Sequence, residues 1–183
     1  MVRRRSASST YGVLYMSPTF IVRRATPEDE AGVSELLLAS YPGLMRTAYD
    51  QTTLEAALPL ITRANPALLS AGTYYLAVNE DGFAAGCGGW SRERPGSSEV
   101  KPELAHIRHF ATRPEWLGRG IGRQLYRRCE EDARSSGVRR FECQASLNAE
   151  GFYAALGFRS VGRIEVRIGP GPMLPSVLME RTI

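Results

Sequence analysis

LAHIRHFATRPEWLGRGIGRQL, residues 104–125, is the stretch whose reading decides the fold. Leu104 to Thr112 reads as a strand, and Arg113-Pro114 turns the chain out of it. Three alternate glycines, Gly118, Gly120 and Gly122, then open a helix over Arg119 to Ser136. Its apolar positions, Ile121, Leu125, Cys129 and Ala133, recur every four residues, and Gly137 ends it. Glycines let the backbone approach a ligand and adopt positive φ, so several N–H groups point into one concavity. The helix start adds unpaired N–H donors and the positive end of the helix dipole. Arg119 and Arg123 add full charges, and Arg127 follows one turn later. A tight turn that uses glycine only for geometry is the plainer reading. The glycines and arginines together favour a site for phosphate or pyrophosphate.

The kind of phosphate follows from what the stretch lacks. A nucleoside triphosphate loop calls for Gly-Lys-Ser/Thr, which is absent. A dinucleotide fingerprint calls for GxGxxG, whereas Gly118, Gly120 and Gly122 give GxGxG with Arg123 at the third required position. Glu142 stands where a ribose-binding acid would, but the first half of the chain lacks the successive βαβ units of a Rossmann domain.

Outward from this stretch the chain reads as a single α/β or α+β domain. Phe20 to Ala25 suggests a strand. Thr26-Pro27 caps a helix with acids in its first turn, and Pro42-Gly43 is expected to stop it. Leu54 to Ile61 suggests a second helix, interrupted by Pro59 and finished near Asn65-Pro66. Tyr74–Val78 and Phe83–Trp90 flank the turn Asn79-Glu-Asp-Gly82 as a hairpin. Ser91 to Lys101 is polar and reads as a loop. Arg140–Ala145, Phe158–Ile168 and Ser176–Thr182 read as strands, with a short helix over Asn148–Leu156. The expected architecture is a mixed, mostly antiparallel sheet flanked by helices, carrying a pyrophosphate-binding strand–loop–helix.

Composition narrows the function. The 183 residues suffice for one domain, with 43% hydrophobic and 23% charged residues as in ordinary globular proteins. Three cysteines without CxxC spacing exclude a disulfide scaffold and a zinc ribbon. No HExxH, GxSxG or His/Asp cluster with metal spacing occurs, so no metal is expected. No apolar run approaches the ~18 residues of a membrane span, so no membrane partner is expected. Of the net charge of +4, Arg3, Arg4 and Arg5 contribute +3 within the first fifteen residues, leaving +1 on the rest. Residues 1–16 are therefore expected to be a flexible basic tail and residues 17–183 the domain. A nearly neutral domain is no general polyanion binder, so no nucleic-acid partner is expected. The expected compartment is the cytoplasm.

Arg113-Pro-x-x-Leu-Gly-Arg-Gly-Ile-Gly closely resembles the acetyl-CoA signature of the GNAT superfamily of N-acetyltransferases, Gln/Arg-x-x-Gly-x-Gly/Ala. Asn148-Ala-Glu-Gly-Phe-Tyr-Ala-Ala-Leu-Gly-Phe158 resembles the second landmark of that family, Asn…(Phe/Leu)-Tyr-x-x-x-Gly-Phe. Order, separation and strand–helix context agree over about Phe20 to Thr182. One departure is Leu117, which stands where the family usually has Gln or Arg. The resemblance implies a GNAT-like fold and acetyl-CoA as co-substrate. Backbone groups of Phe110 and Thr112 would pair with the pantetheine amides. Leu117, Gly118, Arg119, Gly120, Ile121, Gly122 and Arg123 would hold the pyrophosphate, and Asn148 would bond the pantetheine arm. Tyr153 would stand beside the sulfur and protonate the departing thiolate.

Chemistry supports that role, because a phenol of pKa ~10 is protonated at neutral pH and can donate to sulfur. The competing readings are a packed core tyrosine for Tyr153 and a helix N-cap, stapled by Leu147 and Phe152, for Asn148. The attacking ammonium must also lose a proton. His106 is the first candidate base and Glu103 the second, with ordered water as the alternative. His106 and His109 are an odd number apart on a strand, so at most one faces the cleft. A backbone N–H near Phe110 or Ala111 would stabilise the oxyanion. The expected reaction is acetyl transfer to a primary amine by direct attack. A non-catalytic acyl-CoA-binding or regulatory module is the alternative. The acceptor, a small-molecule or peptide amine, is set by Tyr41–Asn65 and Ser91–Lys101, where Tyr49, Asp50 and Glu55 are candidate contacts. Homodimerisation stays open.

Overall fold

The strands Tyr74–Val78 and Ala84–Ser91, buried at every position, form the covered centre of the sheet, whereas Arg159–Arg167 at its edge is largely exposed. The structure, a computed structural model, describes residues 19–97 and 99–183, so the basic tail assigned to residues 1–16 lies outside it. The strands are β1 (Ile21–Arg24), β2 (Tyr74–Val78), β3 (Ala84–Ser91), β4 (Leu104–Thr112), β5 (Arg140–Ser146), β6 (Arg159–Arg167) and β7 (Met173–Thr182). The helices are α1 (Glu30–Met45), α2 (Gln51–Ile61), α3 (Pro66–Ser70), α4 (Ile121–Ser135) and α5 (Glu150–Ala155). One seven-stranded sheet runs β1-β2-β3-β4-β5-β7-β6, and only β4 and β5 are parallel. The mixed, mostly antiparallel sheet flanked by helices is the one the sequence predicts.

Period-two alternation divides the core. Tyr75 and Ala77 of β2 join Ile121, Leu125 and Cys129 of α4 on one face. Tyr74, Leu76 and Val78 join Val33, Leu36 and Leu37 of α1 and Leu68 and Leu69 of α3 on the other. A third cluster seats Leu54 and Ala57 of α2 against Leu174 of β7.

Three local readings are corrected. Helix α1 does not stop at Pro42-Gly43 but runs through to Met45. Proline removes one helix bond, but Ser40 donates to the carbonyl of Thr112 at 2.9 Å and Met45 is buried, so tertiary contacts outweigh that loss. Helix α2 likewise continues through Pro59. Asn65-Pro66 starts α3 rather than ending α2: Asn65 accepts from the Ala67 amide at 3.0 Å and Pro66 takes the first helical position.

The decisive irregularity lies in β4. Gly89 pairs with Arg108 and Cys87 with Ala111, so β4 holds one residue more than β3 across the interval. His109 sits in this bulge at φ 44°, a left-handed conformation rare for a side-chain-bearing residue. Pairing of β4 with β5 covers only Leu104–His106 against Arg140–Glu142. Beyond it the two strands part, and the edge of β4 from Ile107 to Thr112 is open.

Strand β3, AAGCGGWS, is buried throughout because helices pack on both sides and rings fold over its glycines. A Cβ on Gly88 would lie 2.6 Å from the Phe110 ring. One on Gly89 would lie 2.6 Å from the carbonyl oxygen of Thr73 and 2.8 Å from the Cα of Tyr74, where only backbone could yield. Gly89→Ala is expected to lower stability by about 1–3 kcal/mol, seen as a lower urea midpoint at unchanged slope. Gly43→Ala, in open space on α1, is expected to raise the midpoint slightly.

Candidate active site

The loop from β4 to α4 is pinned before it opens. The Arg113 amide donates to Ala85, its Nε donates to Ala84 at 3.0 Å, and its guanidinium lies 4.1 Å from the centre of the Phe83 ring. Trp116 packs against Phe20 and Phe83. Past this anchor Gly118 and Gly120 take φ of 75° and 78°, with open space where a Cβ would be, and Gly120 caps α4. Among the described residues no acceptor takes the amide protons of residues 118–123. Arg119 and Arg123 stand exposed beside them without a carboxylate partner among the described residues. Unpaired donors, a helix N-terminus and two cations make an anion cradle.

Two cavities fill the gap between β4 and β5. The outer one, about 370 Å³, is lined by Phe110, Ala111 and Thr112 on one side and by Leu117, Gly122, Asn148 and Phe152 on others. The inner one, about 170 Å³, extends beneath β6 and β7. They share Tyr41, Met45, Phe110, Ser146, Ala149 and Tyr153. Tyr153 thus stands at their junction, 5% exposed, among the rings of Phe110, Phe152 and Phe158. Burial first, and the neighbouring Cys143 thiol second, raise its pKa well above the ordinary phenol value. The hydroxyl is therefore protonated throughout the physiological range.

Of the residues predicted to hold a cofactor, Phe110, Ala111, Thr112, Leu117, Gly122 and Asn148 line the outer cavity. Gly118, Arg119, Gly120, Ile121 and Arg123 belong to the adjoining loop and helix start rather than to the cavity wall. The Ile121 side chain is buried under α4, so only its backbone is free to take part. Asn148 caps no helix: α5 begins at Glu150 with Ala149 before it.

The base candidates are a correction. His106 is 4% exposed and shares a separate small hollow with Arg94, Glu99, Lys101 and Glu142, its Nδ1 3.8 Å from Glu142. Glu103 is exposed in the turn before β4, where its carbonyl accepts from Arg139 and Arg140. Neither lines a cavity that contains Tyr153. His109 lines the inner one instead. At most one of the two histidines reaches the cleft, as strand alternation implies, but the bulge decides which, and a bulge has no simple sequence signal. Burial first and Arg108 second push the His109 imidazole down to about 4.

Helix α1 supplies a contact that sequence reading placed only within the broad Tyr41–Asn65 stretch. Tyr41 enters both cavities, its hydroxyl donating to the Phe110 carbonyl at 3.4 Å, next to the Ser40 bond to Thr112. The clue lies in the helical spacing, since Tyr41 follows Leu37 by four residues and so shares its face. The predicted acceptor contacts do not converge. The Tyr49 hydroxyl bridges Pro175 and Leu147, Asp50 caps α2 through Thr53, and Glu55 accepts from Gln51. Trp90 is core, its Nε1 donating to Asp132 at 3.2 Å.

The family model described as "Acetyltransferase (GNAT) family" matches residues 32–158. Among solved structures, a GCN5-related N-acetyltransferase from Rhodopseudomonas palustris is similar with a TM-score of 0.74 and 24% identity, over 92% of this chain and 99% of that one. The PaiA N-acetyltransferase of Thermoplasma acidophilum, in complex with coenzyme A, gives 0.67 and 16% over 90% and 99%. The N-acetylglutamate synthase of Neisseria gonorrhoeae, complexed with coenzyme A and N-acetyl-glutamate, gives 0.59 and 16% over 91% of this chain and 36% of that one. No curated protein matches.

The neutral, half-buried His109 has a consequence for stability. In the unfolded chain it would titrate near ~6.5, and in the folded chain only at about 4. Between those values the unfolded state binds more protons, so His109 favours folding above ~6.5 and loses that contribution as pH falls towards 4. The thermal midpoint is expected to fall across this window, and His109→Gln to flatten the fall.

Proposed function

As the chain belongs to the GNAT acetyltransferase family, we propose that it moves an acetyl group from acetyl-CoA to a primary amine by direct attack. The observation that carries this reading is the junction itself. An anion cradle opens into a cavity that ends at one buried, protonated tyrosine, with a second cavity beyond it. The cradle fits a pyrophosphate, since it offers consecutive free amides, two arginines and no Cβ over Gly118 or Gly120. Acetyl-CoA brings an activated thioester, whose exchange for an amide is downhill.

The chain's own residues have separable tasks. Backbone amides of 118–123, with Arg119 and Arg123, bind the pyrophosphate charge. The open edge of β4 at Phe110 and Thr112, with Asn148, orients the pantetheine arm. The amide of Phe110 or Ala111 stabilises the oxyanion of the tetrahedral adduct. As the adduct collapses, Tyr153 gives its hydroxyl proton to sulfur. Leu117 in place of the family's usual Gln or Arg alters only a side chain at the rim, because the cradle donors are backbone groups. Residues 17–183 form the acting domain on this reading, serving a small-molecule or peptide amine in the cytoplasm. The rival, a non-catalytic acyl-CoA-binding module, draws on one observation: no carboxylate base lines the inner cavity.

Titration calorimetry of acetyl-CoA into the protein should show binding that Gly120→Glu abolishes, since the new side chain places a carboxylate in the cradle on strained backbone. Absence of binding to the unaltered protein would overturn the reading. Tyr153→Phe is expected to leave acetyl-CoA affinity unchanged and to lower kcat by roughly 10²–10⁴-fold. Unaltered turnover in that variant would remove Tyr153 from the mechanism. Acetyl-CoA binding without any amine turnover would favour the rival.

A further inference from the structure

Resting on the acetyltransferase reading, we propose that the acceptor is a weakly basic aromatic amine that enters uncharged and carries neither a carboxylate nor a second ammonium. The argument begins with what the inner cavity lacks. Among the described residues that line it there is no Asp, Glu, Lys or Arg. Ile61, Ile107, Val166, Ile168 and Leu174 form an apolar wall, and Gln144 is an uncharged polar group on it. Of the nearby acids, Glu150 pairs with Arg163 at 3.3 Å, Asp50 caps α2 and Glu142 faces His106, while Glu165, next to the lining Val166, is not itself on the wall.

An ammonium ion entering such a space would bear a desolvation penalty with no counter-ion among the described lining residues to offset it. A carboxylate would meet the same penalty with no cation to receive it. A polyamine or an amino acid is therefore a poor occupant. An aliphatic amine with pKa near ~10.4 can enter neutral, but only about one molecule in ~10³ is neutral at pH 7. In an aromatic amine the nitrogen lone pair is delocalised into the ring, so the molecule is neutral at that pH and avoids the penalty. Tyr41, Phe110 and Tyr153 line the junction, where an aromatic body would find ring partners.

Proton balance agrees with the cavity. The amine nitrogen forms a bond to the acetyl carbon and becomes positive, the C–S bond breaks, and Tyr153 gives a proton to sulfur. One N–H proton must then leave, and His109 is the sole imidazole lining the cavity. Its surroundings are Arg108 beside it, Tyr74 and Cys87 donating to its carbonyl, and Tyr41, Cys143 and Tyr153 around the cavity, with no carboxylate among them. Burial makes it a weak base that titrates at about 4. Such a base suits the acidic N–H of an aromatic-amine adduct and not the far less acidic one from an alkylamine.

The test uses the full chain and acetyl-CoA, following CoA release with four amines: 4-methylaniline, 2-phenylethylamine, spermidine and glutamate. At pH 7, kcat/KM for 4-methylaniline is expected to exceed that for 2-phenylethylamine, of which only one molecule in ~10³ is neutral. The 4-methylaniline profile should be flat from pH 6.5 to 9, and that of 2-phenylethylamine should rise about tenfold per unit. Gln144→Glu, which adds a carboxylate to the wall, should narrow the ratio by about tenfold or more. Preference for spermidine, glutamate or 2-phenylethylamine at pH 7 overturns the substrate class while the acetyltransferase reading stands. Acetyl-CoA binding by calorimetry without turnover of 4-methylaniline also overturns the class. Failure to bind acetyl-CoA overturns both.

Discussion

One extra residue in β4 governs the molecule's usable space. With His109 held in a left-handed bulge, β4 pairs regularly with β3 on either side of the irregularity but meets β5 over three residue pairs only. An unparted sheet would have joined β4 to β5 along their length and left no room beside Tyr153. Parting leaves backbone groups of β4 without a strand partner, and buried backbone groups need partners. Helix α1 meets part of that need through Ser40 and Tyr41, and a ligand in the outer cavity could meet the rest.

The parted strands also separate two electrostatic regimes. At the outer end, amide donors and arginines favour negative charge. In the inner cavity, neither sign of full charge has a partner on the walls. Tyr153 lies between these regimes, where burial keeps its proton in place. Anion cradle, protonated tyrosine and uncharged cavity follow one another along a single gap, each supplied by a different element.

Much of this was legible in the chain. The glycine loop and α4 are specified locally: alternate glycines permit the turn, and the four-residue apolar period fixes which helix face is buried. Tyr153 is singled out through the resemblance of Asn148–Phe158 to a family landmark, since periodicity alone reads it equally as a packed core tyrosine. What escaped reading was non-local. Pro42 signals a stop, yet α1 continues because Ser40 and Met45 find partners far away in sequence. Strand alternation sets His106 and His109 on opposite sides without saying which side is the cleft, and a single inserted residue changes which side chain reaches it. Bulges arise from the partner strand's packing, here glycine-rich β3 beneath Phe110, and so lie outside any one-strand pattern.

The wall common to both cavities ties their occupants thermodynamically. Tyr41 borders each, and its hydroxyl is tethered to the Phe110 carbonyl by a long, weak hydrogen bond of 3.4 Å. A ligand that requires this ring to turn aside bears the cost of releasing the tether, and a second ligand arriving afterwards does not. By linkage the advantage is reciprocal: each occupant alters the other's affinity by the same factor, whichever arrives first. A single phenol between two rooms is enough to make a two-substrate protein cooperative without any change of subunit or domain.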